Sequence, residues 1–164
     1  MSAVWCWPLP GVSVAVLPAA GAPGAFGAVR RHDVHTGVDL HCGEGQAVHA
    51  VEDGVVVGVE DFTGPAAGSS WWLPTKAVLV EGASGVVLYG EVVPEAAMVP
   101  GALVAQGDRV GRVTRVLRHD KGAPTTMLHL ELYAAGARSS VWWRHGEPQP
   151  AALRDPTAHL RAVG

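Results

Sequence analysis

The apolar residues of this chain fall into short runs separated by turn-forming residues, a pattern typical of β-strands joined by loops. The runs cover residues 12–17, 47–51, 54–59, 77–80, 85–93 and 127–133. Helical periodicity is scarce, and connections rich in glycine, proline and serine lie between the runs, as at 63–70. Residues 118–125 have the character of an exposed loop. The pattern predicts an all-β fold of antiparallel strands.

One stretch, residues 99–113 with the sequence VPGALVAQGDRVGRV, carries a more specific pattern. Gly101 and Gly107 suit tight turns, and the positions predicted to face inward are Val104, Val110 and Val113. The same spacing occurs in biotinyl-carrier and related proteins, so it predicts an antiparallel β-sandwich or barrel-sandwich hybrid. Such folds perform different chemistry. A carrier domain is disfavoured, because neither of the two lysines lies in a biotinyl-type turn.

Length and charge limit the possible functions. The 164 residues suit one domain, with a motif-bearing core at about 30–135, an N-terminal arm at 1–29 and a C-terminal tail at 136–164. With 12 Lys and Arg against 15 Asp and Glu, the chain has no basic field to attract phosphates. We therefore predict that nucleic acid is not a partner.

The first 29 residues carry no charged side chain, which raises the question of a membrane segment. Four prolines interrupt them and no basic residue precedes the apolar stretch, so we predict neither a signal peptide nor a membrane-spanning helix, and the localisation stays open. Cys6 and Cys42 allow one disulfide at most, and a reduced pair is equally compatible with the sequence.

The segment His35-Thr36-Gly37-Val38-Asp39 contains the first candidate metal ligands. In a straight strand His35 and Asp39 would lie roughly 13 Å apart, at about 3.3 Å per residue, too far to share one ion. Gly37 and Val38 disfavour a helix. A turn at Gly37 would instead bring the imidazole and the carboxylate together, and this pair of ligands suits zinc.

A second candidate is His129, in the run 127–133. Strand alternation places three residues on the core face, namely Leu128, Leu130 and Leu132, and three on the other face, namely Met127, His129 and Glu131. His129 could bind a metal or be a half-exposed strand histidine. Glu131 could be its hydrogen-bond partner or a solvated carboxylate.

Taken together, H-x-G-x-D, then V-x-A-x-x-D-G-x-V, V-x-x-G-D-x-V-G and a closing H-x-E resemble the lysostaphin/LytM family of zinc endopeptidases. The resemblance runs from about Arg31 to Tyr133, and the segment 155–160 is similar to a common C-terminal tail of such domains. It implies the duplicated hybrid motif of LytM and one zinc ion bound by His35, Asp39 and His129. Three protein ligands leave an open position, as catalytic zinc sites do.

The chain departs from the family at two accessory histidines. The first histidine of the family's H-x-H motif falls on Met127, and the histidine of its Tyr-x-His strand falls on Glu91. The resemblance therefore leaves two hypotheses. In the first, the chain is a zinc hydrolase that cleaves peptide bonds in cell-wall peptides with metal-activated water, Glu91 being the base and Tyr89 its neighbour on one strand face. In the second, it is a zinc-stabilised binding or regulatory domain that cleaves nothing.

Other candidates could complete the cleft. His32 and His41 flank the first motif, and each either lines the cleft or stays on the surface. Two tryptophan pairs, Trp71 with Trp72 and Trp142 with Trp143, either line a groove that holds peptide or glycan or pack over an open sheet edge. Peptidoglycan peptide or another peptide is the expected substrate, and the sequence leaves the oligomeric state open.

Overall fold

A computed structural model describes residues 4–119 and 125–163, and within them the chain forms nine strands and one short α-helix. The strands are β1 Val38–His41, β2 Ala47–His49, β3 Gly54–Thr63, β4 Thr75–Gly82, β5 Gly85–Pro94, β6 Leu103–Val104, β7 Arg109–Val113, β8 Met127–Tyr133 and β9 Leu153–Arg154. The helix α1 spans Thr157–Arg161, and single 3-10 turns cover Val14–Val16 and Pro65–Ala67.

All strand pairs in the sheet are antiparallel. The main path runs β1-β8-β5-β4-β3-β6, while β7 joins β2 to β5, and β9 pairs with β8. The sequence prediction of an all-β, antiparallel fold is confirmed. Five of the six predicted strand runs form strands, and the run 127–133 has the predicted bounds.

Alternation along the strands divides the interior into two apolar clusters. The first contains Val87 and Tyr89 of β5 together with the leucines of β8, and the second contains Val86 and Leu88 of β5. The positions predicted to face inward in 99–113 are buried, since Val104, Val110 and Val113 are at most 3% exposed. Gly101 and Gly107, predicted to form tight turns, both have positive φ.

The predicted strand at 12–17 is wrong. Residues Val14–Val16 form a 3-10 turn, because the Ser13 side chain accepts a hydrogen bond from the Ala15 N–H and so competes with strand pairing. Val14 is 53% exposed, whereas Val12, Val16 and Leu17 are partly buried against the first cluster without joining the sheet. The predicted loop at 118–125 lies partly outside the described residues.

Both terminal segments contribute to the core. Trp5 and Leu9 of the N-terminal arm and Leu160 of the C-terminal tail are almost fully buried in the first cluster. Leu153 is buried in the second.

In the described part of the chain no helix is long and apolar enough to cross a membrane. Both cysteines are free thiols.

Candidate metal centre

The three residues predicted as metal ligands are buried, and their side chains converge on one point. Nε2 of His35 lies 3.1 Å from Oδ1 of Asp39 and 3.3 Å from Nδ1 of His129. Nδ1 of His129 lies 2.9 Å from Oδ1 of Asp39. Two imidazole nitrogens and one carboxylate oxygen therefore share a site small enough for a single cation.

Strand register and one bend create this arrangement. Asp39 of β1 lies directly opposite His129 of β8, on the face that turns away from the leucine core. The chain bends at Gly37, and this bend brings His35 to the same point. A Cβ atom on residue 37 would lie 2.9 Å from Nε2 of His129, so only glycine allows the chain to pass so close.

The N-terminal arm fixes the first two candidate ligands. Nδ1 of His35 lies 2.9 Å from the carbonyl oxygen of Ala25, to which it donates, so Nε2 keeps a free lone pair. The backbone N–H of Asp39 donates to the carbonyl oxygen of Gly24 over 2.9 Å. The arm is therefore part of the site, which the sequence did not predict.

Glu131 fixes the third candidate ligand, His129. Its Oε1 accepts hydrogen bonds from Nε2 of His129 at 2.8 Å and from the hydroxyl of Thr36 at 2.6 Å. Its Oε2 accepts a hydrogen bond from the hydroxyl of Tyr133. The carboxylate is 1% exposed, so it is a buried partner of His129 and not the solvated group that the sequence left as an alternative.

The donor set fits zinc. Two neutral imidazoles and one carboxylate are ligands that zinc commonly takes, and three protein ligands leave a position open. The two other ring nitrogens each have an acceptor, Ala25 for His35 and Glu131 for His129. Such outer hydrogen bonds orient imidazole ligands and increase their basicity.

The charges of the three residues are coupled. Burial raises the pKa of Asp39, but hydrogen bonds with His129 and His35 outweigh it and hold that pKa well below its ordinary value. Burial lowers the pKa of His129, but Asp39 and Glu131 outweigh it and raise that pKa well above 6.5. In the metal-free protein these two carboxylates thus favour the protonated form of His129, and a metal would replace the proton on Nδ1.

Glu91 reaches the site through a bulge. The pairing of β5 with β4 shifts by one residue between Gly90 and Val92, which leaves Glu91 as the additional residue. Its φ is 64°, the one positive value among non-glycine residues in the described ranges. The bulge turns the carboxylate into the cleft beside the three ligands.

The surroundings of Glu91 disfavour its ionised form. Burial is the largest cause and raises the pKa of Glu91 to about 8, and the negative charge of Asp39 acts in the same direction. His129 and Arg30 act in the opposite direction. In the metal-free protein Glu91 therefore holds its proton at neutral pH.

The cleft around these residues has a volume of about 350 Å³. Its walls are largely aromatic or apolar and include Phe62, Trp72, Val116, Met127, Trp142 and Trp143. Trp71 is 64% exposed and packs against Trp72, with ring centroids 5.7 Å apart. Three of the four tryptophans in the two predicted pairs thus line the cleft.

Three predicted cleft residues lie elsewhere. Tyr89 is fully buried in the first apolar cluster, where its hydroxyl accepts a hydrogen bond from the Val51 N–H. The prediction that it shares a face with Glu91 is wrong, because the bulge reverses the alternation after Gly90. His32 and His41 are exposed and are not among the residues that line the cleft.

The sequence reasoning missed several contributors. The hydroxyls of Thr36 and Tyr133 donate hydrogen bonds to Glu131. Tyr133 continues the alternation of Met127, His129 and Glu131, so the sequence pattern could have indicated its position, whereas no pattern indicates Thr36. Arg30 lines the cleft, with Nη2 3.8 Å from Oδ2 of Asp39. Its place depends on a turn in the arm that no sequence period indicates.

The chain belongs to peptidase family M23, whose family model matches residues 33–141, more than half of the chain. The resemblance seen in the sequence motifs is therefore confirmed. No curated protein matches the chain.

Several solved structures share the fold. CbpA from L. salivarius REN is 21% identical with a TM-score of 0.60, over 96% of this chain and 95% of that one. A mutant of the catalytic domain of the prophage-encoded M23 protein EnpA from Enterococcus faecalis is 23% identical with a TM-score of 0.53, over 81% of this chain and 99% of that one. A zinc-containing peptidase from Vibrio cholerae is 18% identical with a TM-score of 0.54, over 79% of this chain.

These likenesses show a fold and no more. The chain spans nearly all of CbpA but only 36% of the V. cholerae peptidase. It likewise spans 35% of Csd3 from Helicobacter pylori, with 20% identity over 88% of this chain and a TM-score of 0.51.

Proposed function

We propose that this protein is a zinc-dependent hydrolase that cleaves peptide bonds in peptidoglycan peptides. The observation that carries the proposal is the convergence of His35, Asp39 and His129 with Glu91 in one cleft. A metal-binding triad alone would serve stability as well as catalysis. A carboxylate turned toward it by a strained bulge supports catalysis.

Glu91 would act as the general base and then as the general acid. A bound zinc ion would polarise the peptide carbonyl and make water a stronger acid. The positive charge of that ion would lower the pKa of Glu91 and so favour its ionised form. The Glu91 carboxylate would then accept a proton from the water that attacks the carbonyl carbon, and would return this proton to the nitrogen of the leaving amine as the C–N bond breaks. No other co-reactant is needed.

The remaining cleft residues suit a peptide. Trp72, Trp142 and Trp143 offer flat apolar surfaces at the sides of the cleft, and Arg30 offers a guanidinium beside Asp39. Aromatic walls with a few polar groups are typical of small binding clefts. The family relationship supports cell-wall peptides as the substrate class.

The test is the release of peptides from purified cell-wall sacculi by the zinc-loaded protein. The Glu91→Gln variant should lose about 10² to 10⁴-fold in rate and keep its zinc, because general acid and base groups contribute about that much. The His129→Ala variant should lose both zinc and activity. Cleavage by Glu91→Gln at the parental rate would exclude Glu91 as the base.

Met127 favours a second candidate, a zinc-stabilised binding domain. Its thioether lines the cleft where the family has a histidine and can neither take nor give a proton. In that case the protein binds sacculi without releasing peptides at any pH, and Glu91→Gln binds as well as the parent. If the protein is an enzyme, Met127→His should increase its rate.

A further inference from the structure

Beneath the metal centre lies a hydrogen-bonded cluster that the proposed chemistry does not use. Glu131 stands at its middle and accepts from His129, Thr36 and Tyr133. The two carboxylate oxygens have different partners: Oε1 binds His129 and Thr36, whereas Oε2 binds the Tyr133 hydroxyl. The orientation of the carboxylate plane therefore depends on Tyr133.

Tyr133 also reaches the wall of the cleft. Its hydroxyl accepts a hydrogen bond of 3.1 Å from the backbone N–H of Val141, while its own proton goes to Glu131. Val141 lines the cleft and directly precedes Trp142 and Trp143, which line it too. One buried hydroxyl thus joins the tryptophan-bearing loop, residues 140–143, to the partner of a metal ligand.

We propose that Tyr133 is a positioning residue of the metal centre, and that its hydroxyl couples the 140–143 loop to the orientation of His129. This inference rests on the proposed zinc site. Because Nε2 of His129 donates to Glu131, Nδ1 is the nitrogen that faces His35 and Asp39. Holding Glu131 in place therefore holds His129 in the ligand geometry.

Loss of the hydroxyl would disturb both ends of this connection. Oε2 of Glu131 would be left without a partner on a side chain that is 1% exposed, so the carboxylate would turn toward another donor. The hydrogen bond to His129 would weaken with it. Mutation of such outer partners typically costs about 10- to 100-fold in metal affinity.

The chain provides a matched control. Its other tyrosine, Tyr89, is equally buried, and its hydroxyl also accepts a backbone N–H, that of Val51, but in the opposite apolar cluster. Tyr89→Phe and Tyr133→Phe therefore remove the same atom from the same degree of burial. Only Tyr133→Phe removes a donor to Glu131.

The experiment measures the dissociation constant for Zn²⁺ by competition with a chelator. Tyr133→Phe should weaken zinc binding by about 10-fold or more, and Tyr89→Phe by about two-fold or less. Equal affinity in parent and Tyr133→Phe, or equal losses in the two variants, would overturn the inference. If the parent itself takes up no zinc, the proposed function fails and the inference fails with it.

Hydrogen exchange provides a second measurement, and its first comparison uses the parent protein alone. In the parent, zinc should slow exchange of the Val141 amide, because ordering of His129 and Glu131 orders the acceptor on Tyr133. Tyr133→Phe should remove this zinc dependence, and Tyr89→Phe should keep it. A Val141 amide that exchanges at one rate with and without zinc in the parent would contradict the coupling.

Discussion

Replacing Glu91 with glutamine should stabilise the metal-free protein. The pKa of Glu91 rises from 4.5 in the unfolded chain to about 8 in the folded protein, chiefly because of burial. At pH 7 folding therefore requires uptake of a proton, which costs about 3 kcal/mol at 1.36 kcal/mol per pH unit. Since the side chain keeps some contact with solvent, we expect a gain of about 1 to 3 kcal/mol from the neutral isostere.

The sign of this effect depends on pH. Because the folded pKa lies above the unfolded one, the parent loses stability relative to Glu91→Gln as the pH rises from about 4.5 to about 8. The gain should vanish near the lower limit and reach its maximum near the upper one. Both side chains share the left-handed backbone, so that strain cancels in the comparison.

Thermal unfolding in the presence of a chelator measures the gain. An increase of about 3 to 10 °C in the melting temperature near pH 8 is expected for a domain of this size. The control is Glu44→Gln, a half-exposed glutamate paired with Arg115 at 3.2 Å, which should change stability by about 0.5 kcal/mol or less. A Glu91→Gln variant that is less stable than the parent, or equally changed near pH 5 and pH 8, would refute the reasoning.

Three further predictions follow from the site. Zinc affinity should decrease as the pH falls from about 8 to about 6. Nδ1 of His129 must lose a proton before it binds the metal, and the neighbouring carboxylates raise the pKa of that group. Chelator competition across this pH range measures the change in affinity. Gly37→Ala should remove zinc binding, because the added Cβ would lie 2.9 Å from Nε2 of His129. In the control variant, Gly43→Ala, the added Cβ has no atom within 4 Å, so metal analysis should show normal zinc content. Burial raises the pKa of the Cys42 thiol to about 11, so its alkylation rate should rise about tenfold per pH unit above neutrality, and denatured protein should show two free thiols.

The regular strands could be predicted because one periodicity governs them. In β8 the alternation of leucines with polar residues predicts the bounds and the residues that face the core, and the structure agrees with both, although the residues of the opposite face are buried too. The run at 12–17 fails since alternation is necessary for a strand but not sufficient. A strand also needs an edge to pair with, and a serine that binds its own backbone offers an alternative.

The site could be predicted only where side chains follow from local geometry. The ligand triad needed one bend at Gly37, and glycine at that position indicates one. The face of Glu91 could not be predicted, because it depends on a register shift between β5 and β4. Strand alternation would have placed Glu91 with Tyr89 in the apolar core, and one additional residue sends it to the opposite face.

The cost of Glu91 to the fold bears on the choice between enzyme and binding domain. The residue combines a left-handed backbone, which costs a side chain about 1 to 2 kcal/mol, with a carboxyl group that the surroundings keep from ionising. Glycine would remove both costs, and glutamine the second. A domain that uses zinc for folding alone gains nothing from a glutamate at this position. A hydrolase gains a proton acceptor beside its metal centre, so the destabilising residue favours catalysis over binding.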